Sequence, residues 1–269
     1  MGGWTPSERT RPPVLVDTHC HLHLLEGSAD ELVRHARTEG VGHVVDVGVD
    51  LASSRGAAAN AARLPDVSAT AGIHPHDAVQ LTPEAVTELR RLLARPEVVA
   101  VGETGLDYYR DHSPRDVQRA AFATHVRLAR ELDRALVVHC REAFEDVLAI
   151  LDGEGAPERV VFHCFTGDDA MAGRVVDAGY LVSFAGTVTF RNAPEQRAAC
   201  AVVPLGRMVL ETDSPFLSPH PYRGRPNRPG RVAVTAETVA AVHGTSVDEV
   251  ARATTATAVR AFRLPAPVA

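Results

Sequence analysis

The sequence predicts an α/β fold of the TIM type, a (β/α)8 barrel formed as a single domain, on three observations. Eight short apolar runs alternate with helix-like stretches along 269 residues, the pattern of a parallel sheet with crossover helices. Side chains able to bind metal stand at the ends of several runs, where barrel enzymes keep their active sites. No linker divides the chain, and 45% apolar content at this length suffices for one large core.

Taken in order, the first strand is read at 14–17, leading into Thr18-His19-Cys20-His21. The others are read at 43–47, 67–71, 98–102, 135–138, 159–162, 180–184 and 208–210. Thr82-Pro83-Glu84 opens a helix, with a cap, a first-turn proline and an acid near the positive end. Over 115–132, Phe122, Val126, Ala129 and Leu132 share one helical face, away from Arg119, Arg127 and Arg130. Ser246-Val247-Asp248-Glu249 starts a last helix reaching about Phe262. The Pro-, Gly- and Arg-rich stretch 214–231 is a long loop, which a barrel holds over its active site. An open doubly wound sheet would carry a Gly-rich phosphate turn after its first strand, where His19-Cys20-His21 stands instead. Residues 1–12 read as an N-terminal extension expected to be flexible, 13–264 as the barrel and 265–269 as a tail.

The chemistry lies in a recurrence. Alternate residues of a strand share a face, so His19 and His21 point together. Glu103, His139, His163 and Asp213 then each close a further apolar run. Any one of them alone would ordinarily be a structural histidine, a cap or a turn former. Four imidazoles and two carboxylates at five strand ends suit a pair of divalent metals sharing a bridging carboxylate. The chain reads as a binuclear metallohydrolase.

Composition narrows the options. The formal net charge is −6 and all 28 basic residues are arginine, so no global basic field draws the chain to nucleic acid or to an anionic membrane. With no lysine there is no Schiff-base lysine, no P-loop lysine and no carboxylated lysine to bridge metals; Glu103 is left as the bridge. Cys20, Cys140 and Cys164 each neighbour a candidate histidine, but alternation turns them to the opposite side, and reduced thiols suit a cytoplasmic enzyme. The N-terminus lacks the apolar stretch of a signal peptide, and no run reaches membrane-spanning length.

Asp17-Thr18-His19-Cys20-His21-Leu22, Gly72-Ile73-His74-Pro75-His76, Gly102-Glu103-Thr104-Gly105-Leu106-Asp107, Val138-His139-Cys140-Arg141, His163-Cys164-Phe165-Thr166-Gly167 and Glu211-Thr212-Asp213-Ser214-Pro215, followed by Arg223-Gly224, occur in that order. As a set they resemble the TatD family of metal-dependent deoxyribonucleases in the amidohydrolase superfamily, from about Val14 to Phe262. The resemblance implies a metal at His19, His21, Glu103 and Asp213, and a second at Glu103, His139 and His163. It also implies substrate contacts from His74 and Arg223, and cleavage of DNA phosphodiesters, in the 3′-5′ exonuclease sense. His23, Pro226, Arg228 and Thr257 depart from the family's usual residues, which touches the substrate loop rather than the ligands.

The expected cofactors are two divalent ions among Zn, Mn, Mg and Fe, since imidazole and carboxylate donors without thiolate do not choose further. In this reading a metal-bound hydroxide would attack phosphorus, with Asp213 and Glu103 as the expected catalytic carboxylates. The expected substrate is DNA or a small phosphate ester, with no membrane and no obligate protein partner. Two other enzyme readings are a metal-dependent esterase and an amidohydrolase or deaminase acting on a small molecule. A nucleic-acid-binding protein with structural metals is the non-enzyme reading, although a structural zinc site is normally closed by four ligands.

Overall fold

The computed structural model describes residues 14–267. The extension assigned to residues 1–12 lies outside them, and 265–267 carry no regular element. Eight parallel strands follow one another around the sheet in sequence order: β1 (Leu15–Cys20), β2 (Val41–Asp46), β3 (Val67–Ala71), β4 (Val98–Asp107), β5 (Ala135–Arg141), β6 (Val160–Phe162), β7 (Leu181–Phe184) and β8 (Met208–Leu210). The helices between them are α1 (Ala29–Thr38), α2 (Leu51–Arg63), α3 (Pro83–Leu93), α4 (Arg115–Glu131), α5 (Phe144–Glu154), α6 (Asp169–Asp177) and α7 (Pro194–Val202). Two more, α8 (Val232–His243) and α9 (Val247–Phe262), follow the last strand. The anticipated caps form: Thr82 Oγ1 accepts from the Ala85 N–H and Ser246 Oγ from the Glu249 N–H.

Strand alternation separates two apolar layers. Leu15, Val44, Val98, Leu136, Val160 and Met208 pack outward under the helices. Val16, Val45, Val99, Val137, Val161 and Val209 fill the barrel interior, where Ala258, Ala261 and Phe262 of α9 join them.

The ring closes beyond β8 rather than along it. The Asp213 N–H donates to the His19 carbonyl and the His21 N–H to that of Ser214, both at 2.8 Å. Buried Asp17 accepts the Thr212 N–H at 2.9 Å and its hydroxyl at 2.6 Å. Side chains 195 positions apart thus lock the first strand to the last.

Of several register shifts in the sheet, two lie beside the site. In β4, Val101 and Thr104 pair with Leu136 and Val138, so one extra residue is accommodated at Gly102-Glu103. Asp17 and Cys20 likewise pair with Val44 and Asp46, leaving an extra residue around Thr18-His19. Such bulges re-aim side chains beside active sites. Here they carry β4 five residues past its expected end, with Glu103 inside the strand. Gly102 and Gly105 flank the bulge at φ +132° and +144°, and a Cβ at Gly102 would stand 2.6 Å from the Val137 carbonyl oxygen.

Candidate metal centre

Glu103 is the hub of the site. Its buried carboxylate reaches out of the β4 bulge with its two oxygens facing different sets of side chains. Oε2 lies 3.2 Å from His19 Nε2 and 3.8 Å from His21 Nε2. Oε1 lies 2.8 Å from His139 Nδ1, 2.9 Å from His163 Nε2 and 3.3 Å from His74 Nε2. Asp213 completes the first set, its Oδ1 3.3 Å from His21 Nε2 and 3.8 Å from His19 Nε2. All but Glu103, which the bulge holds within β4, sit at or near the C-terminal end of a strand or just past it, the end at which barrels place their chemistry.

The imidazoles are oriented from behind. His21 donates its Nδ1 proton to the Val47 carbonyl at 3.2 Å. His163 donates from Nδ1 to Glu211 Oε1 at 3.1 Å, and His139 from Nε2 to Asp107 Oδ2 at 3.1 Å. Each bond occupies one ring nitrogen and turns the other toward Glu103 or Asp213, the arrangement that metal-ligating histidines adopt. Glu211 is itself held by the Cys164 N–H at 2.8 Å and the Ser183 hydroxyl at 2.5 Å. His19 is fully buried, and neither of its ring nitrogens has a hydrogen-bond partner. An orphaned buried imidazole is costly, and a cation at Nε2 would satisfy one of its two nitrogens.

His74 differs. Its Nδ1 accepts the His76 N–H at 3.1 Å, so in the neutral ring Nε2 carries the proton. Burial pushes its pKa down to about 4, which makes His74 a neutral hydrogen-bond donor at the cluster rather than a lone-pair ligand. Beneath it, His125 accepts the Ile73 N–H at Nε2 (3.1 Å) and donates from Nδ1 to the Ala121 carbonyl (2.8 Å).

The charges report an unmet demand for cations. Burial opposes ionisation of Glu103, yet His163 first and then His74 and His139 hold its carboxyl well below the ordinary range. Asp213 is also lowered, by the His21 hydrogen bond and then by His163 and His19, against the effect of burial. Conversely His163 is raised well above the usual imidazole value by Glu103 and Glu211, despite burial. His139 is raised against burial by Asp107 and Glu103. Carboxylates gathered in a buried site hold protons on their imidazoles when nothing else supplies positive charge, and divalent metals compete for the same lone pairs. The residues present therefore fit a metal centre, and close groupings of donor atoms occur at His19, His21 and Glu103, at His19, His163 and Asp213, and at His74, Glu103 and His139.

The family model described as TatD related DNase matches residues 16–263. The chain belongs to this family. A metal-dependent hydrolase TatD of uncharacterized activity from Mycobacterium tuberculosis is 43% identical over 260 residues, covering 93% of this chain and 98% of the relative. The Bacillus subtilis hydrolase YabD is 38% identical, with 93% and 100% covered. A 3'-5' ssDNA/RNA exonuclease TatD from Cronobacter sakazakii is 39% identical over 200 residues, with 73% and 76% covered. Among solved structures, the TatD homologue YJJV of Escherichia coli superposes with a TM-score of 0.88 at 29% identity, over 93% of this chain and 98% of that one. The chain is accordingly a metal-dependent hydrolase with a single-domain (β/α)8 fold, and no helix among its described residues is long and apolar enough to cross a membrane.

Of the residues singled out in the sequence, the fold gathers His19, His21, His74, Glu103, His139, His163 and Asp213. Arg223 is not among them: it is exposed in the loop after β8, its guanidinium carbon 3.7 Å over the Phe190 ring. Cys20 faces away, its thiol donating to the Val45 carbonyl at 3.4 Å. Cys164 corrects the alternation argument. Its φ of +45° breaks the strand geometry, and burial with nearby Asp213, Glu211 and Glu103 pushes its thiol pKa well up. Asp107 and Glu211, which orient His139 and His163, were visible in the motifs but not recognised as orienting groups. Their signal is that each stands in a strand-end segment with a ligand-type carboxylate two or four residues away.

Proposed function

We propose that this hydrolase cleaves phosphodiester bonds of DNA with two divalent cations, one held by His19, His21, Glu103 and Asp213, the other by Glu103, His139 and His163. One observation carries the reading: three imidazoles, each held by a hydrogen bond at one ring nitrogen, turn the other nitrogen toward the two oxygens of buried Glu103, at 2.8, 2.9 and 3.8 Å. Divalent cations bound there lower the pKa of water and neutralise charge on phosphate oxygens. Asp213, kept ionised and partly open to the mouth at 14% side-chain exposure, accepts the proton of the attacking water. Neutral His74 directs its Nε2–H at a non-bridging oxygen, where developing charge strengthens the bond. Glu103 holds the two ligand sets at a fixed separation. Arg223 meets a substrate phosphate from the loop after β8, with a charge-assisted contact.

The 3′-5′ exonuclease sense is supported by the name of the Cronobacter relative. The test strips the protein of metal and reloads it with Mn, Mg, Zn or Fe. It then follows cleavage of single-stranded DNA labelled at either end, a small phosphodiester and a carboxylic ester of similar size. Metal-dependent release of nucleotides from the 3′ end is the expected result. Turnover of the carboxylic ester far above any phosphodiester would make the enzyme an esterase with the same metal centre.

A further inference from the structure

In this acidic chain most arginines outside the mouth are tied down. Arg55 and Arg91 share Glu88, Arg119 pairs with Asp146, Arg174 with Glu145, and Arg134 donates to the Leu93 carbonyl. At the mouth the pattern reverses. Arg110 follows β4, Arg141 ends β5, and Arg223 and Arg225 follow β8; all four are exposed, and their guanidinium groups have neither a hydrogen-bonded nor an ionic partner among the described residues. Three of them stand over aromatic rings. Arg141 lies 3.9 Å and Arg110 5.6 Å from the Tyr109 ring centroid, and Arg223 lies 3.7 Å from that of Phe190. Stacking holds a guanidinium in place while leaving its in-plane N–H groups free for an anion.

The strand order sets the spacing. In a ring of eight strands in sequence order, the β4–β5 patch and the β8 patch lie on opposite sides, with the Glu103 cluster between them. We infer that these two basic, aromatic patches form a track that grips the end of a single strand of nucleic acid across the Glu103 cluster. Backbone phosphates of the strand meet Arg110 and Arg141, the phosphate of its terminal nucleotide meets Arg223 and Arg225, and an unpaired base stacks on Tyr109, which is 55% exposed. A small ester cannot touch both patches at once, and a duplex keeps its base faces stacked internally. The inference rests on the phosphodiesterase reading and specifies its substrate as an oligonucleotide rather than a compact ester.

The experiment measures binding of a fluorescent phosphorothioate oligothymidylate ten-mer, which keeps its charges and resists cleavage, to the metal-loaded protein across a salt series. Each paired variant, R110A/R141A and R223A/R225A, should weaken binding about tenfold, and should reduce the slope of log affinity against log salt by about 1.4, at about 0.7 per lost phosphate contact. Tyr109→Ala should weaken binding about tenfold without changing the slope. Arg34→Ala, an exposed arginine of α1 far from the mouth, should change neither quantity. Wild-type slopes in either paired variant, an equal loss in Arg34→Ala, or equally tight binding of duplex DNA or polyglutamate would overturn the track. Cleavage of a thymidine dinucleotide by the metal-loaded enzyme reports separately on the phosphodiesterase reading, so the two can fail independently.

Discussion

The two sides of Glu103 are built on different principles. On the Oε2 side, His21 leans on a neutral backbone carbonyl, His19 has no second hydrogen bond, and Asp213 brings the only further charge. On the Oε1 side, His139 and His163 are backed by the carboxylates of Asp107 and Glu211. A carboxylate behind an imidazole raises its basicity and fixes its ring more firmly than a carbonyl does. The Oε1 side is therefore the more strongly preorganised for a cation. The Oε2 side pairs its ligands with a carboxylate that can also take a proton. On the proposed mechanism, one side holds and the other reacts.

The largest expected effect comes from removing what the two sides share. Glu103→Gln should lower turnover by orders of magnitude and reduce metal content on both sides, with the fold intact by circular dichroism. Wild-type turnover and stoichiometry would remove Glu103 from the mechanism. Next, Glu211→Gln or Asp107→Asn should weaken metal binding roughly 10–100-fold, and only in the binding phase assigned to the Oε1 side. A metal titration in which both phases weakened equally would erase the distinction between the sides.

A smaller effect reaches the Oε1 side through the turn carrying His74. Burial lowers the pKa of His125 to about 4, against about 6.5 unfolded. The unfolded chain thus binds more protons between those values. The contribution of His125 is complete above about pH 6.5 and is lost as pH falls toward 4. Between pH 7 and pH 5 the loss is about 2 kcal/mol, because protonating Nε2 would set two donors against each other at the Ile73 N–H. Thermal melts of His125→Gln should show a flatter acid limb, and an unchanged limb would rule the residue out. The smallest effects belong to the thiols: Cys20→Ser and Cys140→Ser should cost some stability and retain all metal. Metal loss in folded Cys20→Ser would contradict the outward register of β1.

The eight strands and six of the seven residues gathered at the mouth were legible because apolar runs and strand-end ligands repeat, and repetition is what periodicity detects; His74 came only with the family resemblance. The bulges were not. An inserted residue at Gly102-Glu103 leaves the apolar pattern of 98–102 intact and shows itself only as a register shift against β5. The apolar run therefore placed the end of β4 too early, and strand alternation does not extend to Cys164, where a left-handed backbone breaks the count. Asp107 and Glu211 escaped because a residue that orients a ligand has no spacing rule of its own. Arg223 was legible as a cation but not in its position, since the path of a long loop follows from tertiary contacts such as its stacking on Phe190.

The bond between Asp17 and Thr212 ties the assembly of the site to the order of synthesis. His19 and His21 emerge among the first residues of the chain, but Asp213 and the segment that closes the ring emerge only after most of it has been made. A nascent or truncated chain ending before residue 213 holds an open ring, without the carboxylate that completes the Oε2 side. On the proposed ligand set, full metal loading would wait for the segment after β8 to close against the first strand.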